Sequence, residues 1–195
     1  MHTQDPAAEY PQMNIRASSY FVLQATHACT RCGEETPVHA LAVPPGHQCT
    51  EADIELDEAD ADSPGLSPTD FSTWLFSPPQ WLDIADPALI SQTGLLSPAV
   101  AQAMQALSPH YRQNPDNQGQ WTNFCAHCGK PIWEGDLYPT PGQAFSPADA
   151  EAAARIQVHK VEEPFGAYYG MCWTANYRNK WPLFARLGYE YSEAD

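Results

Sequence analysis

Two short segments of the 195-residue chain place sulfur where it could hold a metal: Cys29-Thr30-Arg31-Cys32-Gly33 and Cys125-Ala126-His127-Cys128-Gly129. In each, a two-residue gap lets both thiolates leave the same side of a tight turn. The glycine that follows lets the backbone fold back where a Cβ would clash. Two such turns supply four sulfurs, a set that suits tetrahedral Zn(2+), which takes Cys at about 2.3 Å and imposes no electronic geometry of its own. A thioredoxin-like redox pair needs its second Cys in the first turn of a helix, whereas Gly and then Pro37 or Pro131 follow closely here. The opening residues, Met1 to Pro6, lack the basic and apolar regions of a signal peptide, so reduced thiols in a cytoplasmic protein are expected rather than disulfides. The separation of the two pairs is unlike the compact spacings of ferredoxin clusters.

Four thiolates close the coordination shell, so one structural Zn(2+) per chain is expected rather than a catalytic one with an open position for water. Neither H-E-x-x-H nor the H-x-E and P-C-x-x-C pair of zinc deaminases occurs. His27 and His127 adjoin the cysteines and could replace one as ligand, although a histidine so placed more often supports the site or faces solvent. Cys49 and Cys172 have no C-x-x-C partner and read as buried thiols.

Around these turns the pattern is that of hairpins. Tyr20 to Ala25 and Pro37 to Val43 read as strands flanking the first turn, and Trp121 to Phe124 and Pro131 to Tyr138 as strands flanking the second. Ser97-Pro98 before Ala99 to Leu107 predicts a helix, with a cap residue, a proline at the first position and good helix formers behind it. A second short helix is expected from Ser146 to about Arg155, strands at Ile156 to Val161 and Ala167 to Trp173, and a last helical turn over Trp181 to Leu187 ended by Gly188. Residues 1–18 read as a flexible arm. Residues 19–195 read as one α+β domain, two zinc-binding β-hairpins joined in a small sheet, with an acidic, Pro-rich insertion at about 44–118 carrying one or two helices.

The two C-x-x-C-G segments resemble those of zinc ribbons, in which two Cys-bearing hairpins share one zinc. More closely, Thr36-Pro37-Val38 after the first pair and Asn123-Phe124 before the second are similar to a group of uncharacterised bacterial zinc-ribbon-like proteins. The similar elements continue with Gly135-Asp136, Pro141-Gly142 and Phe145. The resemblance spans about residues 19–165; it implies a fold and a zinc and leaves the activity open.

Charge points to a partner class. The chain carries 24 Asp+Glu against 9 Lys+Arg, a formal charge of −15, and no Lys or Arg occurs between Arg31 and Arg112. Within that interval Glu51, Asp53, Glu55, Asp57, Glu58, Asp60 and Asp62 form a dense run. Such a run is either a solvated segment held open by self-repulsion or a surface for a basic protein partner. It lacks the glycine and spaced terminal Glu of an EF-hand loop, so calcium is the weaker reading. Nucleic-acid binding is disfavoured, because affinity for phosphates comes from Lys and Arg. The longest apolar runs fall far short of the ~20 residues of a membrane span.

The expected function is a non-catalytic, zinc-stabilised acidic binding protein, for example an immunity or inhibitor protein that fills the basic cleft of a toxin. An alternative uses the C-terminal segment, where Tyr168, Trp173, Arg178 and Lys180 could stack on and neutralise a single strand. An unrecognised enzyme is a third reading, but G-x-S-x-G and phosphate-loop motifs are absent, and His39, His110 and His159 cannot be assembled into a site from sequence.

Overall fold

The computed structural model describes residues 13–50, 73, 76–174 and 176–190. Its centre is an eight-stranded sheet built from β1 (Ile15–Ala17), β2 (Tyr20–Ala28), β3 (Glu35–Val43), β4 (His47–Cys49), β5 (Leu82–Ile84), β6 (Ala88–Leu96), β9 (Gln157–Val161) and β10 (Phe165–Trp173). The order across the sheet is β5-β4-β1-β10-β6-β3-β2-β9, and every pairing is antiparallel. A separate two-stranded unit pairs β7 (Tyr111–Asn114) with β8 (Gln120–Asn123). Three short helices complete the fold: α1 (Pro98–Leu107), α2 (Ala150–Ala154) and α3 (Trp181–Arg186).

Side chains alternate across a strand, so a strand buried on both faces must be apolar at nearly every position. The sequence of β2 and β3 meets that demand. Phe21, Leu23 and Ala25 of β2, with Val38, Ala40 and Ala42 of β3, join one cluster, which Ile132, Leu137, Phe145, Leu183 and Phe184 complete. Tyr20, Val22, Leu41 and Val43 point the other way, into a second cluster with Val100 and Met104 of α1 and the Tyr111–Trp121 pair. Thus α1 and the β7–β8 unit cover one face, while the segment after the second Cys turn and α3 cover the other.

The structure corrects three expectations. First, the end of the supposed arm is ordered: β1 lies between β4 and β10, and the Asn14 side chain clasps Tyr169, its Nδ2 donating to Tyr169 O (2.8 Å) and its Oδ1 accepting from Tyr169 N (2.9 Å). That clasp sits at the register shift between Tyr168 and Tyr169, where the ladder alone leaves groups unpaired. Second, the 44–118 stretch is no appendage, since β6 lies in the middle of the sheet, between β10 and β3. Third, β8 pairs with β7 rather than with Pro131 to Tyr138. Two successive residues with positive φ, Gln118 (51°) and Gly119 (77°), reverse the chain between β7 and β8. Pro131 has no N–H to extend a ladder, and past one bridge to Phe124 the chain enters a 3-10 turn at Glu134–Asp136. The acidic run Glu51 to Asp62 lies outside the described residues. Among those described, no helix is long and apolar enough to cross a membrane.

The helices follow their local signals. α1 starts at Pro98 as expected, although Ser97 makes no side-chain cap. α2 begins later than expected, at Ala150, because Asp149 is its cap, with Oδ1 accepting from Ala152 N at 2.8 Å. Gly188, with φ of 85°, follows α3.

Beside α3, Lys180 is fully buried, donating from Nζ to Tyr138 O and to Phe145 O (3.2 Å) with its ammonium 4.7 Å from the Trp173 ring centre. It ties the C-terminal segment to the 138–145 loop. Burial pulls its pKa from 10.5 down to about 7. An unfolded chain keeps this proton to a higher pH than the folded one, so the unfolded state binds more protons between those values and stability should rise with pH across that window. Melting temperatures measured from pH 7 to pH 9.5 should therefore climb in the wild type relative to Lys180→Met. Parallel pH profiles would contradict this.

Candidate metal centre

The first Cys turn joins β2 to β3, and the second follows β8 directly. Both are built alike. Gly33 N donates to Cys29 O at 2.8 Å and Gly129 N to Cys125 O at 2.9 Å; Cys29 N donates to Glu34 O at 3.0 Å and Cys125 N to Lys130 O at 2.9 Å. Gly33 (φ 79°) and Gly129 (φ 67°) occupy the left-handed region that only glycine enters without strain, the role the sequence suggests for them. The turns are locked together by Ala126 N donating to Thr36 Oγ1 (2.9 Å) and by His127 Nε2 against Glu35 O (3.0 Å).

This arrangement brings Cys29, Cys32, Cys125 and Cys128 together, all four sulfurs within 4.8 Å of one another. Cys29 Sγ lies 3.8 Å from Cys128 Sγ and Cys32 Sγ 3.7 Å from Cys125 Sγ, far beyond a disulfide bond. A tetrahedron of sulfurs at about 2.3 Å from a central ion has edges of about 3.8 Å, so the set fits a metal of that size. Cys29 and Cys125 are buried, while Cys32 and Cys128 face solvent.

Electrostatics favour a cation at the centre. The backbone amides of Cys128 and then His127 pull the Cys125 thiol down to about 6. Cys32 ends at about 12: its backbone contact with Glu34 favours the thiolate, but local desolvation and the three neighbouring thiols outweigh it. Four sulfurs this close cannot all ionise unless a positive ion offsets their repulsion.

The other expected residues fall elsewhere. His127 is engaged with the Glu35 carbonyl, and the His27 ring, half-buried on β2, has an Nε2 with no hydrogen-bond partner among the described residues. Cys49 is buried in β4 and Cys172 half-buried in β10. Of the residues in the nucleic-acid reading, Trp173 (9% exposed) and Lys180 (0%) are interior, and Tyr168 (44%) is open. His39 is buried in β3, where burial first and the charge of His110 second pull its pKa down to about 4.

Asn123, quoted in the sequence only as a neighbour of Cys125, proves to be a structural hinge pin. β3 pairs with β6 only over Leu41–Val43, and at His39 its backbone on the side away from β2 meets no strand. Asn123 takes both groups: its Oδ1 accepts from His39 N (2.7 Å) and its Nδ2 donates to His39 O (2.9 Å). This buried clasp fixes the end of β8, and with it Cys125, against the main sheet. No signal in the sequence separates it from a turn asparagine. No protein-family model, curated protein or solved structure matches the chain.

Proposed function

We propose that the protein is a non-catalytic, zinc-stabilised binding protein of zinc-ribbon-like build whose acidic segment engages a basic protein partner, as an immunity or inhibitor protein engages a toxin. The observation that carries the metal half is the set of four sulfurs within 4.8 Å of one another, two of whose separations, 3.8 and 3.7 Å, match the edge of a tetrahedral site. Four soft thiolates in a compact set suit zinc, and a filled shell leaves no position for a substrate or a reactive water. The partner half rests on charge: the formal −15 and the concentration of acid at Glu51, Asp53, Glu55, Asp57, Glu58, Asp60 and Asp62. Burial of Trp173 and Lys180 removes two of the four groups that a single-strand platform would use.

Elemental analysis of purified protein should give one zinc per chain. For the partner, the full chain and a variant with the seven acids changed to their amides are used as bait in the native host. The proposal expects a basic protein retained by the wild type at low salt, released as salt rises, and not retained by the variant. Retention by both baits, or indifference to salt, would overturn it.

A further inference from the structure

Above the metal centre a cleft of about 750 Å³ opens between β6, the β7–β8 turn and the segment from Pro131 to Pro139. That volume lies within the range of small-molecule sites. Arg31, held between the first two cysteines, reaches its wall, so the same turns that gather the sulfurs also shape the cleft.

At the rim stands Trp133, 74% exposed. Its ring lies across Gly135, where any Cβ would overlap it, so one face is covered and the other is open. The turn beneath is fixed, with Asp136 N donating to Trp133 O (3.0 Å) and Leu137 N to Glu134 O (2.9 Å). Both oxygens of the Glu134 carboxylate accept from Gln92 N, at 3.1 and 2.9 Å. Gln92 itself holds φ of 54° inside β6, a left-handed conformation that strains a non-glycine residue and clusters at ligand clamps. An indole left open on so well-anchored a turn is a stacking surface in search of a ligand face.

The lining also supplies amides. Asn117 Nδ2 donates to Gln120 Oε1 at 2.5 Å, which leaves Asn117 one acceptor and Gln120 donors, fixed relative to each other. Two adjacent hydroxyls, one donating and one accepting, match such a pair. Among the described residues the charged lining is one cation, Arg31, against Asp116 and Glu134, which gives no basis for holding phosphates. A nucleobase offers a flat face, but in a strand it brings a phosphate with every unit. A proline-rich peptide offers rings for Trp133 but few donors for the amides.

We propose that this cleft binds a neutral saccharide, one sugar ring stacked by its C–H face on Trp133 and its hydroxyls paired with Asn117 and Gln120. Calorimetric titration of the full metal-loaded chain with maltohexaose, cellohexaose, xylohexaose and N-acetylchitohexaose tests it. At least one should bind with a sub-millimolar dissociation constant. Trp133→Ala should weaken that binding at least tenfold with little change in melting temperature, because the ring is mostly in water. Gly135→Ala should weaken it comparably while keeping the indole, since the added methyl displaces the ring, and it decides the matter if Trp133→Ala fails to fold. Absence of binding by all four sugars, or equal binding by wild type and both variants, would overturn the proposal. Trp133-dependent binding of a proline-rich peptide or of oligothymidylate in place of a sugar would also overturn it.

Discussion

Cys125→Ser protein should lose its metal and a large part of its stability, falling by about 3–5 kcal/mol, or on the order of 10 °C or more in melting temperature for a chain of this size. The sulfurs of Cys125 and Cys32 are 93 residues apart in sequence, and those of Cys29 and Cys128 are 99 apart. A metal shared among them therefore closes a long loop, and a tie across a long loop removes the most freedom from the unfolded chain. Two of the four cysteines also belong to the core cluster that contains Leu23, Val38 and Phe145, so an ion bound there would hold apolar packing as well as the turns. The check is thermal unfolding of the variant beside chelator-treated wild type. Both should lose the same amount, because both remove the same tie, and the variant should show no further loss with chelator. A wild type whose melting temperature ignores a strong chelator, with the metal shown to be gone, would remove the structural role.

The second large effect is expected at Asn123→Ala. Truncation strands the N–H and C=O of His39 in the interior with no partner, and each stranded group costs about 1–3 kcal/mol, so a loss of roughly 2–6 kcal/mol is expected. Because the same side chain anchors β8 just ahead of Cys125, the variant should also bind metal more weakly in competition with a chromogenic chelator. Urea unfolding with an unchanged slope would report the stability loss alone. Asn117→Ala, at an exposed position on the β7–β8 turn, serves as a comparison and should change stability by less than about 0.5 kcal/mol. A cost below about 1 kcal/mol at Asn123 would mean that water enters and satisfies His39.

These two positions mark where sequence stops being readable. The cysteines, their following glycines and the hairpin around the first pair were legible because they are local: spacing, a left-handed glycine and period-two apolar residues each act within a few positions. α1 was legible for the same reason, through Ser97-Pro98 and the alanine-rich run. β1 was not, since Ile15-Arg16-Ala17 is too short to show a period and is held in place by partners more than 140 residues away, at Phe165 to Ala167. The β7–β8 unit was hidden by Tyr111-Arg112-Gln113-Asn114, too polar to announce a strand, and by a turn in which Gln118 rather than glycine takes the first left-handed position. The cleft around Trp133 was invisible because its walls come from β6, the β7–β8 turn and the segment after Cys128, which only the tertiary fold brings together.

The order of the strands also sets a timetable for synthesis. The first cysteine turn leaves the ribosome complete, inside its own hairpin, but the second follows some 93 residues later. At ordinary elongation rates that is an interval on the order of ten seconds. During it β3 has β2 beside it and can add β6, yet β10, which joins β6 to β1, is among the last strands made. The nascent chain thus holds half of the four-cysteine set and an open sheet edge together, and this is when thiols and unpaired strands are exposed to oxidants and to neighbouring chains. Prompt capture of an ion by the completed four-sulfur set would protect the thiols, while the edge of β6 stays open until β10 follows, so the supply of metal bears on the first exposure and the pace of synthesis on the second.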